Sequence, residues 1–370
     1  MTHTTFLLSK DPETEHGGDM AMARVLMAIA REQVDEVTVI CLSSAASSST
    51  PGMTRVPKPR VDPVRLLVGS ARKRMSLCHV RYDVPELTSA IDGSDADVYV
   101  AVHSYMAEAF LASGRRDAAK LTISSEVSES LIWRLTRGMV GRMEAPRIER
   151  DELRVASAAT LVGTYDRDEV DRYRARGVDS ALWLDLTFPA DRRLDLTQTA
   201  PRLVFMGTRT FPPNEEAFGE AVRLWPRISA GIPDAELCII GEPAAGGSKC
   251  TLPPGVRDLG FVDDLHAFLG TCRAMIAPIR TGGGVRVKIL DAASKGLPIV
   301  GTPAGVGSLG PVLDVAEFGD DAGFIDQCRR YLLDRDAAVR DGSALFDVNA
   351  QRWEARIPHA AVERLVTARR

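Results

Sequence analysis

Short apolar runs alternate with amphipathic segments along almost the whole chain. Runs of four to eight residues rich in Val, Ile and Leu are typical of strands buried on both faces of a parallel sheet. The strands predicted in this way are residues 4–9, 36–42, 97–102, 120–125, 159–164, 202–206, 235–241, 256–261, 274–279 and 298–302. Strands that alternate with helices predict an α/β fold of doubly wound parallel sheets.

The segments between these strands carry apolar residues at helical spacing. Met22, Val25, Leu26 and Ile29, for example, form one stripe of a predicted helix that Asp19 caps. The predicted helices are residues 19–31, a helix within 124–138, 144–156, 166–175, 212–228, a short helix within 262–270, 285–295, 320–333 and 352–368. A chain of 370 residues exceeds one ordinary core and fits two domains, predicted at 1–190 and 191–350.

Composition excludes several classes of protein. Hydrophobic residues make up 45% and charged residues 26%, so intrinsic disorder is not indicated. A net charge of −4 argues against a general nucleic-acid binder. No apolar run approaches the ~20 residues of a membrane span, and the start TTFLLS has no basic leader, so we expect a cytoplasmic protein.

The cysteines support the same compartment. They are scattered, without a CxxC pair or a neighbouring histidine cluster, which indicates reduced thiols and no structural zinc. Several lie inside apolar strands, where cysteine behaves as a small hydrophobic residue. The six are Cys41, Cys78, Cys238, Cys250, Cys272 and Cys328.

A basic segment, residues 55–81, follows a Ser-rich linker. It holds eight Lys and Arg residues against one acid, Asp62, with Leu66, Leu67 and Val68 between them. One interpretation is a solvated helix and loop. The alternative is a surface that contacts anionic lipid at the inner face of the membrane, or an anionic acceptor.

The stretch 278–302 contains the clearest chemistry. A buried strand is followed by Gly282, Gly283 and Gly284, then by a predicted helix that Gly296 ends. The free N–H groups of such a turn and the helix dipole attract phosphate at the carboxyl end of a strand. Arg286 and Lys288 stand in the first turn, where a cation is favoured only if it meets an anion.

The whole string GGGVRVKILDAASKGLPIV resembles the donor-site signature of retaining GT-B glycosyltransferases of the family-four type. The resemblance implies two Rossmann-like domains with a deep cleft between them. It assigns acceptor binding to residues 1–190 and nucleotide-sugar binding to 191–350, with a C-terminal helix at about 351–370 packed back on the first domain. It also implies that the donor is a nucleotide-diphosphate sugar and that no metal or other cofactor is needed.

The resemblance gives site residues outside the signature as well. Gly17 and Gly18 would face the donor, although they could simply permit a tight turn. His103, just past a strand, would point at the sugar or acceptor, although a local structural role is the alternative. Arg209, next to the Pro-Pro-Asn of 212–214, would bind the pyrophosphate.

Two further contacts follow from the resemblance. Phe261 and Val262 would border the base, although core packing of Phe261 is the alternative. Glu126 is the acidic group left to contact the acceptor.

The sequence also departs from the family pattern. The signature's glutamate pair corresponds here to Gly283 and Asp291, and Asp291 would have to reach the ribose hydroxyls with a side chain one methylene shorter. Members of the family commonly carry a lysine shortly after the arginine that corresponds to Arg209. No lysine closely follows Arg209 here, and Lys288 could supply that positive charge. The interdomain segment 180–193 is divergent.

These residues predict a retaining, metal-independent glycosyltransferase of hexosyl type with His103, Arg209 and Lys288 in catalysis. Diphosphate departure would be stabilised by these cations and the glycine loop, with Arg286 and Asp291 among the donor contacts. Two alternatives stay open: a sugar-nucleotide epimerase or phosphorylase-like enzyme, and a catalytically silent nucleotide-sugar-binding subunit. The acceptor class stays open too: glycan, lipid, small molecule or protein.

Overall fold

The computed structural model describes residues 2–45, 49–243 and 251–369, and divides the chain into two compact units. Unit 1 comprises Met1–Leu186 and Arg356–Arg370, and unit 2 comprises Thr187–Ala355. The boundary after residue 186 lies four residues before the predicted domain limit at 190. Five of the six cysteines are buried free thiols. The sixth, Cys250, was also predicted to be reduced, but it lies outside the described residues.

Unit 1 is built on a parallel sheet of seven strands in the order β3-β2-β1-β4-β5-β6-β7. Its strands are β1 (His3–Leu8), β2 (Glu36–Ser43), β3 (Met53–Pro57), β4 (Val98–Val102), β5 (Lys120–Ser125), β6 (Leu161–Thr164) and β7 (Ala181–Trp183). The order reverses between β1 and β4, so the loops after these two strands diverge to opposite faces of the sheet and leave a crevice.

The helices of unit 1 cover both faces of this sheet. They are α1 (Gly18–Ala30), α2 (Pro63–Lys73), α3 (Leu77–Tyr82), α4 (Pro85–Asp92), α5 (Ala107–Ala112), α6 (Glu129–Thr136), α7 (Gly138–Ala158) and α8 (Arg167–Arg174). Leu7, Tyr99, Phe110 and Ile148 are among the side chains that bury the apolar strands against them. Apolar runs that are covered on both faces explain why the strands read as continuous hydrophobic segments.

Unit 2 repeats this plan with a smaller parallel sheet in the order β10-β9-β8-β11-β12. Its strands are β8 (Arg202–Met206), β9 (Glu236–Ile240), β10 (Val256–Gly260), β11 (Ala274–Ala277) and β12 (Ile299–Gly301). Its helices are α9 (Pro212–Ile228), α10 (Leu265–Leu269), α11 (Val287–Lys295), α12 (Pro303–Val306), α13 (Gly310–Leu313), α14 (Asp321–Leu333) and α15 (Arg335–Glu354). Here the order reverses between β8 and β11.

All ten predicted strands are present, each within two residues of its predicted bounds. The predicted cap of α1 is wrong: Gly17 occupies the N-cap, and Asp19 lies inside the first turn. Strands β3 and β7 were not predicted, because β3 lies in the basic segment and β7 in the divergent stretch 180–193. Helix α7 begins six residues before the predicted start at 144.

The predicted C-terminal helix 351–370 is two helices, and the prediction is corrected here. α15 ends at Glu354, Arg356 adopts a left-handed φ of 60°, and α16 (Ile357–Thr367) begins with Pro358 in its first turn. A proline that starts a new helix in this way marks a boundary that the apolar spacing conceals. α16 belongs to unit 1 and packs against α1 and β4, and Thr4 Oγ1 donates a 2.8 Å hydrogen bond to the Val366 carbonyl.

Candidate functional site

The predicted donor residues of unit 2 gather at the point where its strand order reverses. The loop after β8 carries Arg209, and the loop after β11 carries the three glycines. Both strands are parallel neighbours, so both loops lie at the same carboxyl edge of the sheet. In open α/β sheets this edge is where ligands bind.

The glycine loop depends on conformations that other residues avoid. Gly282 has a φ of 150° and Gly284 a φ of 76°. Helix α11 begins at Val287, two residues later than predicted, so Arg286 is its N-cap and Lys288 lies in its first turn. N–H groups at the start of a helix lack the usual intrahelical acceptors, so the beginning of α11 is a favourable position for an anion.

Arg286 fixes the shape of this loop. Its guanidinium donates to the carbonyl of Gly284 and, over 3.0 Å, to the carbonyl of Ala304 in α12. The side chain therefore ties the glycine loop to the segment that follows β12. Arg286 was predicted to bind the donor directly. In the structure, some of its N–H groups already donate to backbone carbonyls.

Lys288 is a part-buried cation with a neutral partner. Its Nζ lies 2.9 Å from Asn214 Oδ1 and 5.4 Å from the centre of the Phe205 ring. Burial, together with the nearby charge of Arg286, lowers the pKa of Lys288 to about 8. No carboxylate among the described residues pairs with this ammonium, and the environment is one in which an anion would restore the charged form.

Asn214 connects this lysine to the other loop. Its Nδ2 donates to the carbonyl of Thr208 over 2.9 Å, while its Oδ1 accepts from Lys288. Asn214 is the third residue of α9, whose first two residues are prolines. The sequence pattern noted Pro-Pro-Asn as a helix start, but it gave no sign that the amide joins the two loops.

Arg209 is buried and held between two groups. One terminal nitrogen donates to Asp258 Oδ2 over 2.6 Å, and the guanidinium carbon lies 4.5 Å from the centre of the Phe218 ring. Its Nε is buried and has no hydrogen-bond partner within the described chain. A buried N–H without an acceptor is costly, so this atom favours a ligand oxygen.

Three other predicted donor residues lie at the edges of this site. Phe261 follows β10, and 83% of its side chain is exposed, which excludes core packing. Val262 beside it is half-buried. The carboxylate of Asp291 accepts from Lys295 Nζ over 2.6 Å, so an ion pair already engages one of its oxygens.

The predicted residues of unit 1 gather at its own reversal point, between β1 and β4. Gly17, at the start of α1, has a φ of 137°. A side chain at that position would lie 2.7 Å from Asp19 Oδ1, so Gly17 permits both the turn and a close contact. Gly18 is the first residue of α1, and Asp19 forms a 2.6 Å ion pair with Lys10, which follows β1.

His103 lies directly after β4 with a φ of 73°, unusual for a residue with a side chain. Its ring is buried and stacks on Tyr105 with 5.1 Å between the ring centres. Nδ1 lies 3.4 Å from Glu129 Oε1 and Nε2 lies 3.8 Å from Glu126 Oε2. Burial alone would lower the pKa of His103, but the two carboxylates outweigh it and raise the pKa to about 9.

The two glutamates differ in their surroundings. Glu126 is buried, and this burial raises its pKa to about 8, against the opposing effect of the His103 charge. Glu129 begins α6, and its backbone N–H donates to Glu152 Oε1 over 2.7 Å. Glu152 thus fixes the residue that faces His103. Neither Glu129 nor Glu152 was among the predicted site residues, although Glu129 lies only three residues after Glu126.

The structure therefore forms two clusters, each at the carboxyl edge of its own sheet. One holds Gly17, Gly18, His103 and Glu126, and the other holds Arg209, the glycine loop, Arg286, Lys288 and Asp291. The site residues that were not predicted from the sequence are Asn214 and Asp258 in unit 2 and Glu129 and Glu152 in unit 1. Within the described chain no group of three or more His, Cys, Asp or Glu side chains is arranged to hold a metal ion.

A comparison with known protein families finds a match in unit 2, over the part of the chain that carries the second cluster. Residues 200–334 match a family model described as Glycosyl transferases group 1. The matched stretch includes Arg209, Asn214, Phe261, the glycine loop and Lys288. Among curated proteins, no sequence matches the chain.

Comparison with solved structures shows the fold of the whole chain. Sucrose-phosphate synthase from Thermosynechococcus elongatus is similar at 13% identity and a TM-score of 0.69, over 96% of either chain. Anabaena HepE, solved with UDP and glucose, gives 11% and 0.69 over 99% of this chain and 100% of that one. WaaG, a glycosyltransferase of lipopolysaccharide biosynthesis, gives 11% and 0.68 over 98% and 99%. The predicted GT-B fold of two parallel-sheet α/β domains is confirmed.

Proposed function

Because residues 200–334 form a Glycosyl transferases group 1 domain in a chain of GT-B fold, we propose that this protein is a glycosyltransferase that uses a nucleotide-diphosphate sugar. It moves a hexosyl group to an acceptor hydroxyl, retains the anomeric configuration and requires no metal. Unit 2 holds the donor, and unit 1 supplies the acceptor side.

The observation that carries this proposal is the environment of Lys288. A cation that is part-buried, paired only with the amide of Asn214 and adjacent to a helix N-terminus is costly unless an anion is bound. A diphosphate supplies that anion. Solved HepE binds UDP-glucose, which agrees with a donor of this class.

The same groups explain how the leaving diphosphate is stabilised. Negative charge grows on the departing phosphate oxygen in the transition state, and fixed donors aimed at that charge accelerate the step. Lys288, Arg209 with its free Nε–H, and the first-turn N–H groups of α11 are such donors. Phe261 offers an exposed ring for the base, and Asp291 offers a carboxylate oxygen for the ribose.

Retention agrees with the chemistry that these residues offer. In front-face transfer the leaving phosphate oxygen helps to deprotonate the acceptor hydroxyl, and the protein supplies no nucleophile. His103 lies 3.4 Å from the Glu129 carboxylate and carries a proton at neutral pH, so it does not act as a base. Its Nε2 is 3.8 Å from Glu126, too far for a hydrogen bond, so the Nε2–H can donate to a substrate hydroxyl. Glu126 lies beside it on the acceptor side.

We further propose that the protein acts in the cytoplasm, on the inner face of the membrane. None of the helices in the described ranges combines the length and the apolar composition of a transmembrane span. The acceptor carries a hydroxyl group. The residues of the site do not distinguish between a glycan, a lipid, a small molecule and a protein as the acceptor.

The test is incubation with UDP-, GDP- and ADP-sugars, with free nucleotide measured over time. Slow release of one nucleotide that persists in EDTA supports metal-independent transfer, and the anomeric configuration of the product by NMR tests retention. Release that depends on an added divalent metal contradicts the metal-independent step.

One observation favours a second candidate, a catalytically silent nucleotide-sugar-binding subunit. Asp291 is engaged by Lys295, and glycine occupies position 283, where a carboxylate is expected. Tight binding of a nucleotide sugar without hydrolysis or transfer, across a broad acceptor panel, identifies that candidate.

A further inference from the structure

Two neighbouring helical segments of unit 1 expose most of the large apolar side chains that the described chain presents to solvent. The first is α2 with the residues before it, and the second is the turn between α6 and α7. We call residues 60–74 and 134–143 together the basic apolar face. Its exposed large apolar residues are Val61, Val64, Leu67, Val68, Leu135, Met139, Val140 and Met143.

The apolar residues of α2 form a stripe. Val64, Leu67, Val68 and Ala71 follow the spacing i, i+3, i+4, i+7, and all of them are exposed. Only Ser70 of this helix is buried. The helix therefore turns its apolar stripe to solvent rather than to the core, which is the reverse of an ordinary surface helix.

Arginines flank both parts of this face. Residues 60–74 hold five basic residues against Asp62, whose side chain caps the start of α2. Residues 134–143 hold three arginines and no acid. Apart from Lys73, which pairs with Asp83, none of these side chains forms an ion pair with a described residue. In a chain with a net charge of −4, this is a local concentration of positive charge.

The first two basic residues of the predicted segment 55–81 do not belong to this face. Arg55 is buried against Asp11 and Glu13, and Lys58 pairs with Glu15 over 2.6 Å. These two residues serve the loop after β1 and are not available to a partner. The second part of the face, residues 134–143, lies outside the predicted segment altogether.

Side-chain contacts join the two parts. Arg147, one turn beyond Met143, donates to Ser70 Oγ and to the carbonyl of Met75, each over 2.8 Å. Arg150 donates to the carbonyl of Arg74. The carboxyl end of α2 is therefore hydrogen-bonded to α7, the helix whose first residues belong to the second apolar cluster.

We propose that the basic apolar face docks on an anionic membrane surface. An exposed apolar stripe bordered by arginines inserts into the boundary between headgroups and acyl chains, while the arginines meet lipid phosphates. A second copy of the chain is disfavoured, because its arginines would approach like charges. This docking goes beyond the proposed transfer reaction and does not depend on it.

The test is flotation of the full chain with vesicles of phosphatidylcholine containing about a third phosphatidylglycerol, and with pure phosphatidylcholine. We expect binding to the anionic vesicles alone, lost when salt rises from about 0.1 M to about 0.5 M. Leu67→Ser, Met139→Ser and Arg65→Gln should each weaken binding about fivefold.

Matched controls lie elsewhere on the surface. Leu67 and Leu333 are similarly exposed, at 59% and 63%, so Leu333→Ser should leave vesicle binding unchanged. Arg31, exposed at the end of α1, is the matched control for Arg65, as Arg31→Gln. Binding that is absent, insensitive to salt, or weakened equally by the control variants overturns the proposal.

Two other outcomes are equally decisive. A dimer in ultracentrifugation that Leu67→Ser dissociates identifies a second copy as the occupant and overturns membrane docking. Vesicle binding without any nucleotide-sugar binding in calorimetry contradicts the proposed function and leaves this inference standing, whereas the reverse result does the opposite.

Discussion

The ammonium of Lys288 lies 2.9 Å from the side-chain oxygen of Asn214, a partner that carries no charge. Most buried cations in proteins face a carboxylate, and this one does not. The uncompensated charge lowers the free energy of unfolding, and a bound anion would remove that effect. Four of the predictions below depend on Lys288 or on residues near it.

Replacing Lys288 with methionine should weaken the enzyme and stabilise the fold. If Lys288 contacts the leaving phosphate, Lys288→Met costs about 2–4 kcal/mol in transition-state stabilisation, measured as kcat/KM. Without ligand at pH 7, removal of the uncompensated charge should raise the free energy of unfolding by about 1–3 kcal/mol, measured as a higher Tm.

The sign of the stability effect follows from the pKa. Lys288 has a pKa of about 8 in the fold, below its ordinary value of 10.5, so the unfolded chain binds more protons between these values. Stability therefore rises with pH across that window, and the penalty is complete below pH 8. Lys295→Met, in the same helix, removes a lysine paired with Asp291 and should not stabilise. Unchanged turnover in Lys288→Met contradicts the assigned role.

Donor affinity should fall as pH rises through about 8. A bound diphosphate raises the pKa of Lys288, so binding above pH 8 takes up a proton that the free protein lacks. Calorimetry with UDP in buffers of different ionisation enthalpy measures that proton. The Lys288→Met variant serves as the control, and identical proton uptake in it would exclude Lys288 as the source.

Asn214→Asp tests whether the neutral partner matters. An aspartate at 2.9 Å would hold the ammonium in an ion pair, raise the pKa of Lys288 and neutralise the charge that the phosphate needs. We expect a higher Tm and weaker binding of nucleoside diphosphate, by about tenfold. Tighter binding in this variant would show that the diphosphate lies elsewhere.

Arg209→Lys should reduce turnover, because lysine lacks both the planar contact with Phe218 and the Nε–H that has no partner. A loss of about 10-fold to 100-fold in kcat/KM is expected. Arg257→Lys is the matched control, since Arg257 on β10 is exposed and pairs with Glu236. Equal effects in both variants would point to a general electrostatic role.

Glu129→Gln should lower the pKa of His103 toward its ordinary value of 6.5, because it removes the carboxylate 3.4 Å from Nδ1. If the protonated ring donates to a substrate hydroxyl, the alkaline limb of the pH–rate profile moves to lower pH. Glu86→Gln, at an exposed position in α4, is the control. A profile that does not move would show that Glu129 has a purely structural role.

The sequence predicted the scaffold better than the contacts within the site. Buried strands such as β4 and β8 were readable because burial on both faces leaves only apolar residues, and Gly296 was a reliable helix end because α11 closes there with a left-handed φ of 72°. The Lys288–Asn214 contact joins residues 74 positions apart. No local pattern encodes such a pair, because the folding of two loops to one sheet edge creates it.

The direction in which side chains point could not be predicted from the sequence either. Arg286 and Lys288 were both predicted to face the donor phosphates, yet Arg286 bonds to backbone carbonyls and Lys288 to the amide of Asn214. The sequence left open whether the segment of α2 is a solvated helix or a contact surface, and it did not show that the apolar residues of this helix face solvent as one stripe. The break at Arg356 was hidden because the apolar spacing continues across it, although Pro358 signalled a new helix.

The return of α16 to unit 1 has a consequence for the order of folding. Unit 1 is assembled from two stretches of chain, Met1–Leu186 and Arg356–Arg370, and the continuous stretch of unit 2 lies between them. Docking of α16, which buries Val362, Leu365 and Val366, therefore closes a loop that contains the whole of unit 2. Contacts between segments so distant along the chain form slowly, so we expect the docking of α16 to be a late step in the folding of unit 1.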